Sequence, residues 1–337
     1  MQIIKTIAGA AVGAAMATGA FAADVTLTIA SWAPPTHGMN AKMWPEFIRM
    51  VEEASGGKVS GEVKLGLAPP PAMMDLVLDG AADVTWIFHG YNAGRFTATQ
   101  LIELPGLEGS AEAASVAYQK VFDQYLAALE EHRGVKVLAM MTHGPAAIHT
   151  NKEVKTLADV SGMKLRVPGG VGSTAGEALG AIGIQVPAPK VYETLASNAA
   201  DGVVMPVETR KGFKLTEVAK NLYLMPGGFY RGSFAIIMNQ DTFDSLPEDV
   251  RAALDEKVFG EPLARMAGAT WDEMDAEGLA VTKEAGDNTI TDASAEDVAA
   301  YGAIADAIKA DVLAALAEKG VDAEAAYAMI KSEMAGN

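Results

Sequence analysis

Arg166 stands in the run Gly162-Met-Lys-Leu-Arg-Val-Pro168, where Met163, Leu165 and Val167 alternate with Lys164, Arg166 and Pro168. A period of two predicts a short strand with Arg166 on the face opposite the apolar set. A guanidinium fixed at a strand end is a planar fork that can grip a carboxylate with two parallel charge-assisted hydrogen bonds. Most arginines are solvated or sit in structural ion pairs, so type and position alone are a weak sign of binding.

Other reactive groupings are thin. The five histidines show no His-x-x-x-His or His-Glu-x-x-His spacing, which argues against zinc chemistry. There is no Gly-x-Ser-x-Gly elbow and no cysteine, so serine-hydrolase, thiol and disulfide readings fall away. Gly169-Gly-Val-Gly-Ser-Thr174 lacks the Gly-Lys pair of a phosphate loop and reads as a helix entry. No metal and no cofactor is expected. The net charge of −17 argues against nucleic acid and anionic membrane surfaces, and it confines any anion site to a local positive pocket on neutral walls.

The elements that would carry such a pocket alternate between strand and helix. Strands are expected over 24–31, 58–67, 83–88 and 135–142, with helices over 44–54, 72–79 and 111–131, and the order repeats from Met163. A long helix is expected from Pro247 to about Gly278, kinked near Pro262, and another over 294–319 capped by Ser294. Alternation of this kind predicts an α/β chain of two domains, with ligands held outside the carboxyl ends of strands.

The residues at those ends form a candidate set. Trp32 and His37 follow the first strand, His37 behind the rigid Ala33-Pro-Pro-Thr36 loop. Phe88, His89 and Tyr91 follow the third strand, and His143 follows the next. Arg166, Met205, Glu208, Phe229 and Tyr230 complete it. Aromatics are core more often than ligand platforms, His89 could merely bond a loop carbonyl, and Glu208 could pair with Arg210 or Lys211 at the surface. As a group they describe an apolar pocket with few convergent polar groups.

At the amino end Lys5 precedes an apolar stretch from Thr6 to Thr18 and the pattern Ala20-Phe21-Ala22, the signature of an export leader (1–22) cleaved near Ala22. The stretch is too short and too rich in Ala and Gly to span a bilayer comfortably.

Together with Lys155-Thr-Leu-Ala-Asp-Val160, Val191-Tyr-Glu-Thr-Leu195 and Ala200-Asp-Gly-Val-Val-Met-Pro206, the Arg166 run resembles the periplasmic solute-binding subunits of TRAP transporters, the DctP-like family. The resemblance covers the chain from Asp24 to about Ser332. It implies a two-domain periplasmic-binding-protein fold with a cleft between domains and a long helix spanning both. Domain I would comprise 24–143 plus 232–271, and domain II 144–231 plus 272–337. It also implies a monomer that is no enzyme, binds a small organic acid through Arg166 and delivers it to integral-membrane permease subunits. Two departures bear on the ligand. Met205 stands where many members carry an Asn that bonds the held carboxylate, and Ala146-Ala147 stand near a second arginine of some members. Both make the pocket less polar and favour a monocarboxylate with an apolar or aromatic body. An exported enzyme on the same scaffold, or a binding protein feeding a chemoreceptor, are the alternatives.

Overall fold

The computed structural model describes residues 23–336, so the expected leader and its cleavage pattern lie outside the described residues. Strands follow along the chain as β1 (Val25–Ser31), β2 (Val59–Leu65), β3 (Val84–Phe88), β4 (Val135–Thr142), β5 (Ala146–Thr150) and β6 (Lys164–Val167). Then come β7 (Ile182–Gln185), β8 (Gly202–Pro206), β9 (Asn221–Leu224), β10 (Ser233–Asn239) and β11 (Thr289–Asp292). They form two sheets, ordered β2-β1-β3-β10-β4 and β11-β9-β5-β8-β6-β7. Each sheet is the centre of one α/β lobe.

Each sheet also holds one strand that runs against its neighbours. β10 is antiparallel to both β3 and β4, and β5 is antiparallel to both β8 and β9. Every residue of β5 and of β10 is buried, so neither shows the alternation that marks a half-exposed strand. These two strands mark where the chain changes lobe, crossing after β4 and returning before β10. The crossing segments pair with each other: Ala146 N–H donates to the Tyr230 carbonyl (3.0 Å) and Phe229 N–H to the Ala146 carbonyl (2.9 Å).

The third crossing is the helix Glu261–Glu284, which packs on the helix Ala111–Val121 in the first lobe and on the turn of helix Thr209–Gly212 in the second. The expected single helix from Pro247 is two helices. The first, Glu248–Lys257, ends before Gly260, whose φ of 74° suits glycine, and Pro262 sits in the first turn of the next helix and does not kink it. Proline belongs there because its missing N–H would have had no intrahelical acceptor. The expected helix over 111–131 is regular only to Val121, then loosens over Phe122–Leu126 and tightens over Ala127–Leu129. Ser294 caps the helix Ala295–Glu318 as expected, accepting the Asp297 N–H at 3.1 Å. Residues 323–335, expected with the second domain, pack instead on the Ala111–Val121 helix, where Lys120 Nζ meets Glu333 Oε2 at 2.7 Å.

The packing follows the apolar spacing. Trp44, Phe47 and Val51 recur at three and four residues along the helix Trp44–Ala54 and are its buried face. Full burial of each such side chain contributes roughly 1.5–3 kcal/mol.

Candidate ligand-binding site

A narrow cavity lies between the lobes, lined mostly by aromatic and apolar side chains with a few polar groups among them. Its first-lobe wall is aromatic. Trp86 and Phe88 are two residues apart on β3 and so project to one face, with Phe234 opposite Phe88 on β10. Trp32, just beyond β1, stacks on Trp86 with centroids 3.9 Å apart and planes at 8°, and Phe234 stacks on the same indole at 5.6 Å. Hydrogen bonds lock both indoles: Trp32 Nε1 donates to the Trp86 carbonyl (3.2 Å) and Trp86 Nε1 to Ser31 Oγ (3.1 Å). The result is a rigid aromatic wall.

Arg166 supplies the charge from the second lobe. β6 is paired along both edges, by β7 and β8, and Arg166 is 1 % exposed. Its Nε donates to the Val186 carbonyl (2.9 Å) and an Nη2 hydrogen goes to Tyr91 Oη (3.3 Å), which also accepts the Ala188 N–H at 2.8 Å. Tyr91 reaches across from the first lobe. Among the described residues no carboxylate forms an ion pair with Arg166. A buried cation without an anion is costly, and a bound carboxylate relieves that cost.

The remaining polar side chains of the wall are His37, Glu208, His143 and Tyr230. His37 Nδ1 accepts the Met39 N–H (3.2 Å), which leaves the proton of a neutral ring on Nε2, 3.3 Å from Glu208 Oε2. That approach lacks hydrogen-bond alignment, and Glu208 Oε2 is buried without a hydrogen-bond partner among the described residues. The Glu208 backbone is fixed by its N–H to Asp275 Oδ1 (2.7 Å), and burial pushes the Asp275 carboxyl up to about 8. His143 donates from Nδ1 to the Gly144 carbonyl (2.6 Å); burial first, then the Arg231 and Arg166 charges, pull it down to about 3. His143 is therefore neutral at neutral pH and supplies no second cation. Met205 lies on β8 opposite Ala147, with its carbonyl held by His149 Nε2 at 2.9 Å.

Nine of the expected residues line this cavity: Trp32, His37, Phe88, Tyr91, His143, Arg166, Met205, Glu208 and Tyr230. Two do not. His89 turns into the first lobe between Ser233 Oγ (3.0 Å) and His132 Nε2 (2.8 Å), because its position opens a tight turn that aims the ring away from the cleft. Phe229 is fully buried against Tyr301, with centroids 4.9 Å apart. Trp86, Phe213, Phe234 and Trp271 line the cavity without having been expected there. Trp86 was within reach, since it shares a strand face with Phe88. Phe234 lies on the fully buried β10, which has no periodic signal.

The lobes touch beside the cavity. Glu103 accepts the Val171 N–H (2.9 Å) at the start of the helix Gly170–Ala178 and the Ser233 hydroxyl (2.8 Å). Burial raises the Glu103 carboxyl to about 7. Gly90 and Gly169 meet so closely that a Cβ on Gly169 would lie 2.1 Å from the Gly90 oxygen.

The family model for bacterial extracellular solute-binding protein, family 7 (DctP), matches residues 29–315. A TRAP periplasmic solute-binding protein from Bordetella bronchiseptica, with bound (R)- and (S)-mandelate, is 34 % identical with a TM-score of 0.89 over 92 % of this chain and 99 % of its own. One from Rhodoferax ferrireducens, with copurified benzoate, is 28 % identical with a TM-score of 0.85 over 92 % and 98 %. A marine-metagenome protein specific for aromatic acids, with 3-hydroxybenzoate, is 30 % identical with a TM-score of 0.85 over 94 % and 99 %. The chain belongs to the bacterial extracellular solute-binding protein family 7, among the TRAP periplasmic solute-binding proteins.

Proposed function

We propose that this protein captures an aromatic or similarly apolar monocarboxylate in the periplasm and delivers it to integral-membrane TRAP permease subunits. Arg166 is the anchor: a buried guanidinium in the cavity wall with no carboxylate partner among the described residues carries this reading. Trp32, Trp86, Phe88 and Phe234 give the body of the acid an apolar aromatic wall to pack against, and Tyr91, Tyr230 and the neutral His143 border its polar end. In this reading the protein is exported by a leader cleaved near Ala22, acts as a monomer and closes about the segments that cross between β4 and β5 and between β9 and β10.

The bound acids named for the similar structures support the aromatic choice. The cavity's charge supports the single carboxylate. Among the described residues that line it, Arg166 is the one arginine or lysine. A second buried carboxylate would lack a fixed positive partner, which costs several kcal/mol.

A thermal-shift screen tests the class. Benzoate, hydroxybenzoates, mandelate and phenylacetate at a hundred times their dissociation constants should each add about 2.7 kcal/mol of stability. A screen in which sugars or amines stabilise the protein and no carboxylic acid does would reject the reading.

A further inference from the structure

Two cavity-wall residues each hold a polar atom that the protein itself leaves unmet. One is Glu208 Oε2, an acceptor; the other is Trp271 Nε1, a donor, and both are buried with no hydrogen-bond partner among the described residues. The contrast with the other indoles of the wall is direct, since Trp32 and Trp86 both have their N–H groups engaged. His37 lies between them, its Nε2 3.3 Å from Glu208 Oε2 and its ring centroid 5.8 Å from that of Trp271.

We propose that Glu208, Trp271 and His37 form a second polar station that selects acids carrying a hydroxyl group on their body. This rests on the reading of Arg166 as the carboxylate anchor. A hydroxyl has one hydrogen to donate and two lone pairs to accept with. It can therefore satisfy both orphan atoms at once, donating to Glu208 Oε2 and accepting from Trp271 Nε1, with its second lone pair open to the His37 Nε2 proton. An unsubstituted ring satisfies neither, and leaving buried polar atoms unmet disfavours the complex. An ammonium group has no lone pair for Trp271, and an ionised second carboxylate has no hydrogen to donate to Glu208.

One helix face organises the station. Trp271 and Asp275 are four residues apart on the helix Glu261–Glu284 and so lie above one another on the same side. Trp271 brings the donor, while Asp275 holds the Glu208 backbone by its Oδ1 at 2.7 Å and so sets the acceptor. Because this helix spans both lobes, the two halves of the station are registered by one rigid element.

Paired calorimetric titrations test it: benzoate against the three hydroxybenzoates, and phenylacetate against mandelate and 3-hydroxyphenylacetate. In the wild type the best-placed hydroxyl isomer should bind about tenfold or more tighter than its parent, the scale of one charge-assisted hydrogen bond. Glu208→Leu should narrow that ratio to about threefold or less, chiefly through weaker binding of the hydroxylated acid. Trp271→Phe, which keeps a ring and removes the N–H, should narrow it part of the way, and it supplies the test if Glu208→Leu does not fold. Parents binding as tightly as every hydroxylated isomer, or a preference that survives both substitutions, overturns the station and leaves the carboxylate anchor standing. If no acid binds the wild type, both fall.

Discussion

Arg166 and Arg231 are both fully buried, both near the cleft, and opposite in what they have left to offer. Arg231 Nε donates to the Leu107 carbonyl (3.0 Å), Nη1 to the His143 carbonyl (3.2 Å) and Nη2 to the Gly109 carbonyl. Burial lowers it to about 10, so it stays charged at neutral pH, and all three of its nitrogens are engaged. Arg210 is engaged in the same way, by Thr282, the Ala219 carbonyl and Asn288. Arg166 donates to one carbonyl and one tyrosine hydroxyl, and it alone of the three lines the cavity. Burial of a cation therefore says little about function; what matters is how much of its donor fork the fold has already used.

That contrast predicts separable losses. Arg231→Leu should cost stability, about 3 kcal/mol or more, because three buried carbonyls lose their donor; denaturant unfolding reads it. Arg166→Leu should fold normally and lose roughly 2–5 kcal/mol of acid binding, as a desolvated carboxylate is left without its partner. If the two variants exchange phenotypes, the comparison fails. Arg166→Lys should recover only part of the affinity in titration, since an ammonium is a point charge and not a fork.

Closure can be broken without touching a ligand contact. Gly169 has a φ of 103° and faces the Gly90 backbone, so Gly169→Ala should hold the lobes apart and weaken binding by about tenfold, with some loss of stability from the strained backbone. Unchanged affinity in that variant would show that the contact at Gly169 is not needed for capture.

The smallest effect is on pH. Glu103 has a folded-state pKa of about 7, above its ordinary 4.5, so the folded protein holds the proton more tightly than the unfolded chain. The stability linked to this group is full below about pH 4.5 and is lost as pH rises through about 7. Asp275 acts in the same direction up to about pH 8. Melting temperature should fall modestly from pH 6 to pH 8, with a shallower fall in Glu103→Gln. A melting temperature that rises over that interval would contradict the assignment.

Much of the site was legible because its residues sit beside features that leave a local trace. Arg166 lies on an alternating strand, Phe88 ends one, and Trp32, His37 and Tyr91 follow strands that periodicity locates. The misses have physical causes. β10 is buried on both faces and arrives from the far side of a lobe crossing, so nothing local marks Phe234 as a neighbour of Phe88. Trp271 looks like any core residue of an amphipathic helix, and only the crossing of that helix between lobes carries it to the cleft. Pro262 suggests a kink in one long helix, but Gly260, at a φ of 74°, ends one helix and Pro262 opens the next. His89 shows the converse: position at a strand end does not fix the direction of a ring that begins a tight turn.

The central claim is that Arg166 in an aromatic cleft selects a single carboxylate. Calorimetric titration of the wild-type protein with benzoate, 3-hydroxybenzoate, mandelate, succinate and malate tests it most directly. An aromatic monocarboxylate should bind tighter than either dicarboxylate by about tenfold or more, the least that an uncompensated buried charge would cost. Succinate or malate binding tighter than every monocarboxylate would contradict it.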